Sequence, residues 1–259
     1  MTFYKYSGAG NDFIVLDGRI EKDFSLSPDG ILELCSRKSG CKAADGRTGA
    51  DGLMILSASD SCDFRMQFFN PDGSTGMMCG NGGRCITAFA YFLGIGGGRK
   101  SFIFEAADGV HSAEIIAVQG NVLTVRLKMS EPCGFREYED GWFVNTGARH
   151  FVKFVDDVES ADVVNEGSTI RRDARFAPEG VNVDFVQRTG GGELKIRTFE
   201  KGVEAETLAC GTGITAAAAV EHHIGNPSEH YLIHARIADL YVDFLQSGTY
   251  LTGPAEMVI

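Results

Sequence analysis

A tetrapeptide that occurs twice constrains this chain more than any other feature: Cys79-Gly80-Asn81-Gly82 and Cys210-Gly211-Thr212-Gly213, one copy in each half of a 259-residue sequence. A thiol followed by glycine-opened turns, once per half, predicts a duplicated domain with one cysteine from each copy. Each copy leads into an apolar run, Ile86 to Leu93 in the first and Ile214 to Val220 in the second, so each thiol is expected just before a helix. There the unpaired backbone N–H groups and the helix dipole favour the thiolate.

With 44% hydrophobic residues the chain can bury one large core or two of roughly 125 residues each, and the repeat favours two. No apolar run reaches the about 18 residues that span a bilayer, and Met1-Thr2-Phe3-Tyr4-Lys5 lacks the layout of a signal peptide, so a soluble cytoplasmic protein is expected, with no membrane partner. The seven cysteines, at 35, 41, 62, 79, 85, 133 and 210, are odd in number and form no CxxC pair. Reduced thiols and no metal are expected, with Cys35, Cys41, Cys62, Cys85 and Cys133 read as core. A formal charge of −11, from 35 acidic against 24 basic residues, argues against a nucleic-acid partner. His222-His223, His230 and His234 have no carboxylate or cysteine at ligand spacing and read as surface. Gly211 to Ala216 fits the relaxed dinucleotide fingerprint GxGxxA, but the about 45 residues that follow are too few for the remaining βα units. No cofactor is expected.

Strand-like segments broken by turns dominate: Phe13-Leu16, Leu53-Leu56, Phe64-Phe69, Phe102-Ala106, Val122-Leu127, Phe151-Val155, Val181-Gln187 and Leu194-Phe199. Helical periodicity is confined to Ile31-Ser36, the runs after each CGxG, and Val158-Val164. Lys128 to Trp142, with Pro132, Gly134 and clustered charges, reads as the linker. The expected fold is α+β: two similar domains, residues 1–128 and 129–259, each a strand-rich sheet or barrel wrapped round a central helix, related by a pseudo-twofold axis. The last strand is free to return to the first half.

The halves can be laid over one another beyond the cysteines. Phe64 to Asn70 precedes Cys79 as Leu194 to Glu200 precedes Cys210, which makes Asn70 and Glu200 equivalents. Gly8-Ala9-Gly10-Asn11 resembles Gly147-Ala148-Arg149-His150, so Asn11 and His150 occupy related loops. On this reading the thiols face each other with the substrate between them, an arrangement suited to a base on each face of one carbon. An amino-acid racemase or epimerase that works without pyridoxal phosphate needs that, with one cysteine as thiolate and the other as thiol. Backbone N–H groups at Gly80-Asn81 and Gly211-Thr212 are expected to hold the substrate carboxylate as charge builds on it. Glu200 and His150 serve as separate polar neighbours for the two thiols.

Ser7-Gly8-Ala9-Gly10-Asn11-Asp12-Phe13, Phe69-Asn70-Pro71-Asp72-Gly73-Ser74, Cys79-Gly80-Asn81-Gly82-Gly83-Arg84-Cys85, Val181-Asn182-Val183, Phe199-Glu200-Lys201-Gly202 and Glu206-Thr207-Leu208-Ala209-Cys210-Gly211-Thr212-Gly213 closely resemble the diaminopimelate epimerases, in order and across both halves. The resemblance implies pyridoxal-independent interconversion of LL- and meso-diaminopimelate, on the route to lysine and peptidoglycan. By motif it assigns Cys79 and Cys210 as the acid/base pair, and Gly80, Asn81, Gly211 and Thr212 as carboxylate ligands. His150 and Glu200 match auxiliary polar residues, and Asn11, Asn70 and Asn182 match substrate-binding asparagines. It also inclines towards a homodimer. Two departures fall at the substrate's non-reacting end: Lys201 replaces an arginine, a point charge in place of a bidentate fork, and Ala148-Arg149 replaces an Asn-Pro pair. The alternatives are a hydroxyproline epimerase or other amino-acid racemase of the same fold, or a non-catalytic switch in which Cys79 and Cys210 form a disulfide.

Overall fold

The computed structural model describes residues 2–20, 26–225 and 227–258. The chain divides into two compact units, Met1–Leu127 with Gly253–Ile259, and Lys128–Thr252. The first runs β1 (Tyr4–Gly8), β2 (Asn11–Asp17), α1 (Pro28–Cys35), β3 (Gly52–Ser57), β4 (Phe64–Phe69), β5 (Thr75–Gly76), α2 (Gly80–Phe92), β6 (Ser101–Ala106), β7 (Gly109–Gln119) and β8 (Val122–Lys128). The second runs β9 (Cys133–Tyr138), β10 (Gly141–Asn145), β11 (Arg149–Phe154), α3 (Val163–Arg171), β12 (Asn182–Gly190), β13 (Glu193–Glu200), β14 (Ala205–Thr207), α4 (Gly211–His223), β15 (His230–His234), β16 (Asp239–Leu245) and β17 (Gly248–Val258), whose final residues belong to the first unit.

Strand for strand the two pairing schemes are the same. In the first unit β1–β2 is antiparallel, β2–β3 parallel, β3–β4 and β4–β5 antiparallel, β4–β6 parallel, and β6–β7 and β7–β8 antiparallel. The second unit repeats that order with β10, β11, β12, β13, β14, β15, β16 and β17. One more strand flanks each series antiparallel, the end of β17 beside β1 and β9 beside β10. A parallel pair needs a long crossover, and the four parallel joins are those that carry α1, α2, α3 and α4.

Those crossovers explain the helices. The strands of the first unit wrap α2, which meets β1, β2, β3 and β7, and every residue from Gly80 to Ala90 is buried. In the second unit α4 meets β10, β11, β12, β13, β15 and β16 and buries Gly213 through Glu221. A helix enclosed on all sides cannot be amphipathic, and the run Ala216-Ala217-Ala218-Ala219 keeps it thin enough for the surrounding strands to approach. The outer helices are one-sided. Ile31 and Cys35 of α1 pack on Ile14, Leu16 and Leu53, and Val163 and Ile170 of α3 pack on Phe151, Phe185 and Phe199.

The expected strands are all present, and the chain departs from its sequence pattern in five places. The supposed linker from Lys128 to Trp142 is largely strand, because β9 is almost wholly solvent-facing and lacks the alternating signature of a half-buried strand. The helix expected at Val158–Val164 starts at Val163, where Asp162 caps it by accepting the Asn165 N–H at 3.2 Å, and Val158 instead fills the core. Of the cysteines read as core, Cys133 is exposed and Cys41 and Cys62 are only partly buried. His222, read as surface, is half-buried and packs on Phe244 at 4.7 Å between ring centres. A bulge between Ile115 and Ala117 breaks the alternation that would have revealed β7.

The enclosure of α4 yields a stability prediction. Ala217→Leu adds volume where no side can yield and should cost about 1–3 kcal/mol, read as a lower urea midpoint at unchanged slope.

Candidate active site

In the first unit the hairpin between β1 and β2 turns through Ala9 (φ 49°) and Gly10 (φ 100°), left-handed conformations that a two-residue turn demands. That turn presents Asn11. Its side-chain oxygen accepts from Asn81 Nδ2 at 2.7 Å, and its own amide nitrogen donates to Asp51 Oδ2 at 3.2 Å. Asn81 is the second residue after Cys79, which caps α2 with extended backbone (φ −110°, ψ 152°) while its sulfur accepts the Gly82 N–H at 3.3 Å. Any side chain on Gly82 would crowd that sulfur. The first N–H groups of α2, those of Gly80 and Asn81, lack partners within the helix. Asn70 lies at the end of β4 and spends its amide on Ser74 Oγ at 2.9 Å, holding the Asn70–Ser74 turn; among the described residues it does not bond Asn11 or Asn81.

The second unit repeats the arrangement with other chemistry. Cys210 caps α4, and Thr212, again two residues on, bonds the residue at the start of the second strand: His150 Nε2 lies 2.9 Å from Thr212 Oγ1. The same hydroxyl lies 3.4 Å from Cys210 Sγ, so one oxygen links imidazole and thiol. His150 is fully buried, and its Nδ1 lies 2.7 Å from Asp184 Oδ2. Asp184, also fully buried, accepts the Thr198 hydroxyl at 2.7 Å through its other oxygen. A Cβ on Gly213 would collide with that carboxylate, which is why glycine stands there. Thr146 Oγ1 donates to the Thr212 carbonyl at 2.9 Å and braces the turn.

Asn182 ties two loops together. Its amide nitrogen donates to the Arg149 carbonyl at 3.1 Å and its oxygen accepts the Lys201 N–H at 2.8 Å. The side chains of those two cations then meet at Glu179, with Arg149 Nη1 2.5 Å from its carboxylate and Lys201 Nζ 3.3 Å from its carbonyl. Glu200 ends β13, and burial raises its pKa, an effect opposed by the Thr207 hydroxyl and His150. Burial also drives the Cys210 thiol well above the ordinary cysteine range, and the negative charges of Glu200 and Asp184 push it further, with the Thr212 hydroxyl acting the other way. Cys210 is therefore a protonated thiol at neutral pH.

In the first unit Asn81, two residues after Cys79, bonds Asn11. In the second, Glu200 and, through the Thr212 hydroxyl, His150 lie in the surroundings of Cys210. Asn182 lies 3.4 Å from His150 Nε2, and Lys201 is held by Asn182 and Glu179. Sequence reasoning passed over Asp184 and Arg84. The first had a signal: Val181-Asn182-Val183-Asp184-Phe185 alternates, so Asp184 shares a strand face with Asn182. The second is the one charge in the apolar stretch from Gly80 to Ala90.

Duplicated sheets, each enclosing a helix capped by a cysteine, define a class whose fold is found in solved proteins of otherwise different sequence. A phenazine-biosynthesis protein of the PhzF family from Bacillus anthracis is similar with a TM-score of 0.71 at 13% identity, over 99% of this chain and 96% of that one. A hydroxyproline epimerase from Agrobacterium vitis is similar with a TM-score of 0.61 at 16% identity, over 98% and 88%. The chain itself belongs to the diaminopimelate epimerase family, whose model matches residues 3–132 and 142–258. It is 40% identical to the diaminopimelate epimerase of Chlorobaculum tepidum over 97% of each chain. It is 39% identical to that of Flavobacterium psychrophilum over 100% of this chain and 98% of that one.

The buried His150–Asp184 pair is the part of this arrangement most sensitive to loss of one member. Asp184→Ala strips partners from both His150 Nδ1 and Thr198 and should cost about 3–5 kcal/mol of unfolding free energy, measured by chemical denaturation.

Proposed function

We propose that this chain interconverts LL- and meso-diaminopimelate without pyridoxal phosphate, using Cys79 and Cys210 as two acid/base groups. The observation that carries the reading is the recurrence, once per unit, of a cysteine that caps a buried helix and is flanked two residues on by a hydrogen-bonded polar side chain. Inversion at an α-carbon needs a proton to leave one face and another to arrive at the opposite face. Here one sulfur takes the α-proton as thiolate, and the other gives its proton as thiol. The reverse direction exchanges the roles.

The α-proton is too weakly acidic for a base alone. In this proposal the N–H groups of Gly80, Asn81, Gly211 and Thr212 hold the carboxylate as negative charge moves onto it, each pair aided by the positive end of its helix. His150, oriented by Asp184, sets the direction of the Thr212 hydroxyl and through it the protonation of Cys210. Glu200 keeps that thiol protonated until substrate arrives. Asn11, Asn70 and Asn182 contribute to the binding of the amino-acid substrate. At its distal end Arg149 and Lys201 supply the cationic contacts, with Arg149 standing in for the donor that Ala148 lacks. On the same reading, which rests on family kinship, the enzyme works in the cytoplasm as a homodimer.

Incubation with LL-diaminopimelate in D₂O should place deuterium at one α-carbon, and Cys79→Ser and Cys210→Ser should each lower epimerisation by roughly two orders of magnitude or more, because a serine hydroxyl is far too weak an acid. Near-normal epimerase activity in either variant, or the absence of exchange with diaminopimelate, hydroxyproline, glutamate and histidine alike, rules the scheme out. Arg149→Ala should raise KM about tenfold with kcat nearly unchanged, since it removes a contact common to bound substrate and transition state.

A further inference from the structure

Arg84 has no part in the scheme above, yet it is a fully buried cation in the first turns of α2. Its donors reach only neutral acceptors: Asn81 Oδ1 at 2.7 Å, the Gly80 carbonyl at 3.3 Å and the Pro254 carbonyl at 3.4 Å. It ion-pairs with no carboxylate among the described residues. A buried charge without a counter-charge costs several kcal/mol, so its presence calls for a compensating use.

The duplicated unit shows what that use is not. The position five residues after the capping cysteine is Arg84 in the first unit and Thr215 in the second. Thr215 Oγ1 donates to the Gly211 carbonyl at 2.9 Å, as Arg84 donates to the Gly80 carbonyl. A neutral hydroxyl therefore suffices to hold this carbonyl, and the guanidinium brings something further, a full positive charge bonded to Gly80 and Asn81, the two residues that follow Cys79.

The groups that face this charge do not cancel it. Burial lowers the pKa of the guanidinium, and the sulfurs of Cys79 and Cys85 act in the opposite direction. An arginine remains cationic in any case. Cys85 is fully buried and its thiol is driven far up by burial, so it stays protonated. Tyr6, from β1, is likewise held neutral by burial. Lys5, on the same strand, is engaged by the Arg47 and Gly49 carbonyls at 3.2 and 2.8 Å. From β2, Asp12 is already held by Arg37 at 3.1 Å and Arg47 at 2.9 Å. On β7, Glu114 is exposed and His111 is bound to Asp108 at 3.1 Å.

We infer that Arg84 is a positioning residue that supplies the counter-charge for a Cys79 thiolate and, by holding Asn81 Oδ1, turns the Asn81 amide nitrogen towards Asn11. It rests on the reading of Cys79 as a working acid/base. The two units are then charged in opposite senses, a cation beside Cys79 and the carboxylates of Glu200 and Asp184 beside Cys210.

The test is the pH dependence of iodoacetamide alkylation at Cys79, followed by peptide mass spectrometry in the wild type and in Arg84→Gln, Arg84→Met and Arg84→Lys. This readout follows the thiol itself, so a protein without epimerase activity still answers the question. The wild type should show an apparent pKa below the about 8.5 of a free cysteine. Arg84→Gln, which keeps an amide donor and loses the charge, and Arg84→Met should both raise it by about one unit or more, slowing alkylation at pH 7 roughly tenfold, with Arg84→Lys nearer the wild type. A folded Arg84→Gln protein that keeps the wild-type profile overturns the inference. Should none of the variants fold, the wild-type profile decides, and an apparent pKa at or above the free-thiol value overturns it.

Discussion

The constraint on which the rest depends is the enclosure of a helix by the strands of its own unit. Once α2 and α4 are buried on every side, nothing along their flanks can reach solvent or ligand, and chemistry is confined to their N-termini. There the backbone presents N–H groups that no helical carbonyl can satisfy. A cysteine at the cap brings the thiol to that same place. Small residues follow from the enclosure as well: glycines where the sulfur or a carboxylate comes close, alanines along α4 where strands press in. The capping thiols and the packing are thus not separate features, because the same tight wrapping that fixes the helix also fixes the direction of its first turn.

Two units with one topology need not carry one charge. Asn81 bonds Asn11 where Thr212 bonds His150, and the bond is in the same place with a neutral amide in one unit and a carboxylate-backed imidazole in the other. The position occupied by Arg84 in one is Thr215 in the other. Among the described residues the charged surroundings of the two thiols differ, with the Arg84 guanidinium in the first unit and the Glu200 and Asp184 carboxylates in the second. That difference is reached without any change in the pairing of the strands.

The topology was legible because duplication leaves a mark at residues that cannot vary freely: the capping cysteines, the glycines beside them, and the polar residues that end β4 and β13. The strands with one buried face showed their alternation. What stayed hidden lacked a local signature. β9 is almost wholly solvent-facing, β7 carries a bulge, and Val158 is an apolar residue in a turn whose burial depends on α3 packing beyond it. At the candidate site the residues that act on the thiol were visible, and those that act on the residues were not. Asp184 and Arg84 are charges whose meaning lies in what they touch 34 and 3 positions away, in His150 and Asn81.

The final strand has a consequence for how the protein is made. β17 begins in the second unit beside β16 and ends in the first beside β1, where Met257 meets Tyr6 and the Met257 N–H donates to the Asn121 carbonyl at 2.8 Å. The first unit, though its other residues leave the ribosome earlier, therefore waits for β17 before its sheet is complete. Until β17 emerges, β1 keeps an unpaired edge, the kind of surface that recruits chaperones or a neighbouring nascent chain. Loss of the end of β17 would thus be felt as a defect of the N-terminal half, and synthesis of both repeats, not of each in turn, is the unit on which quality control acts.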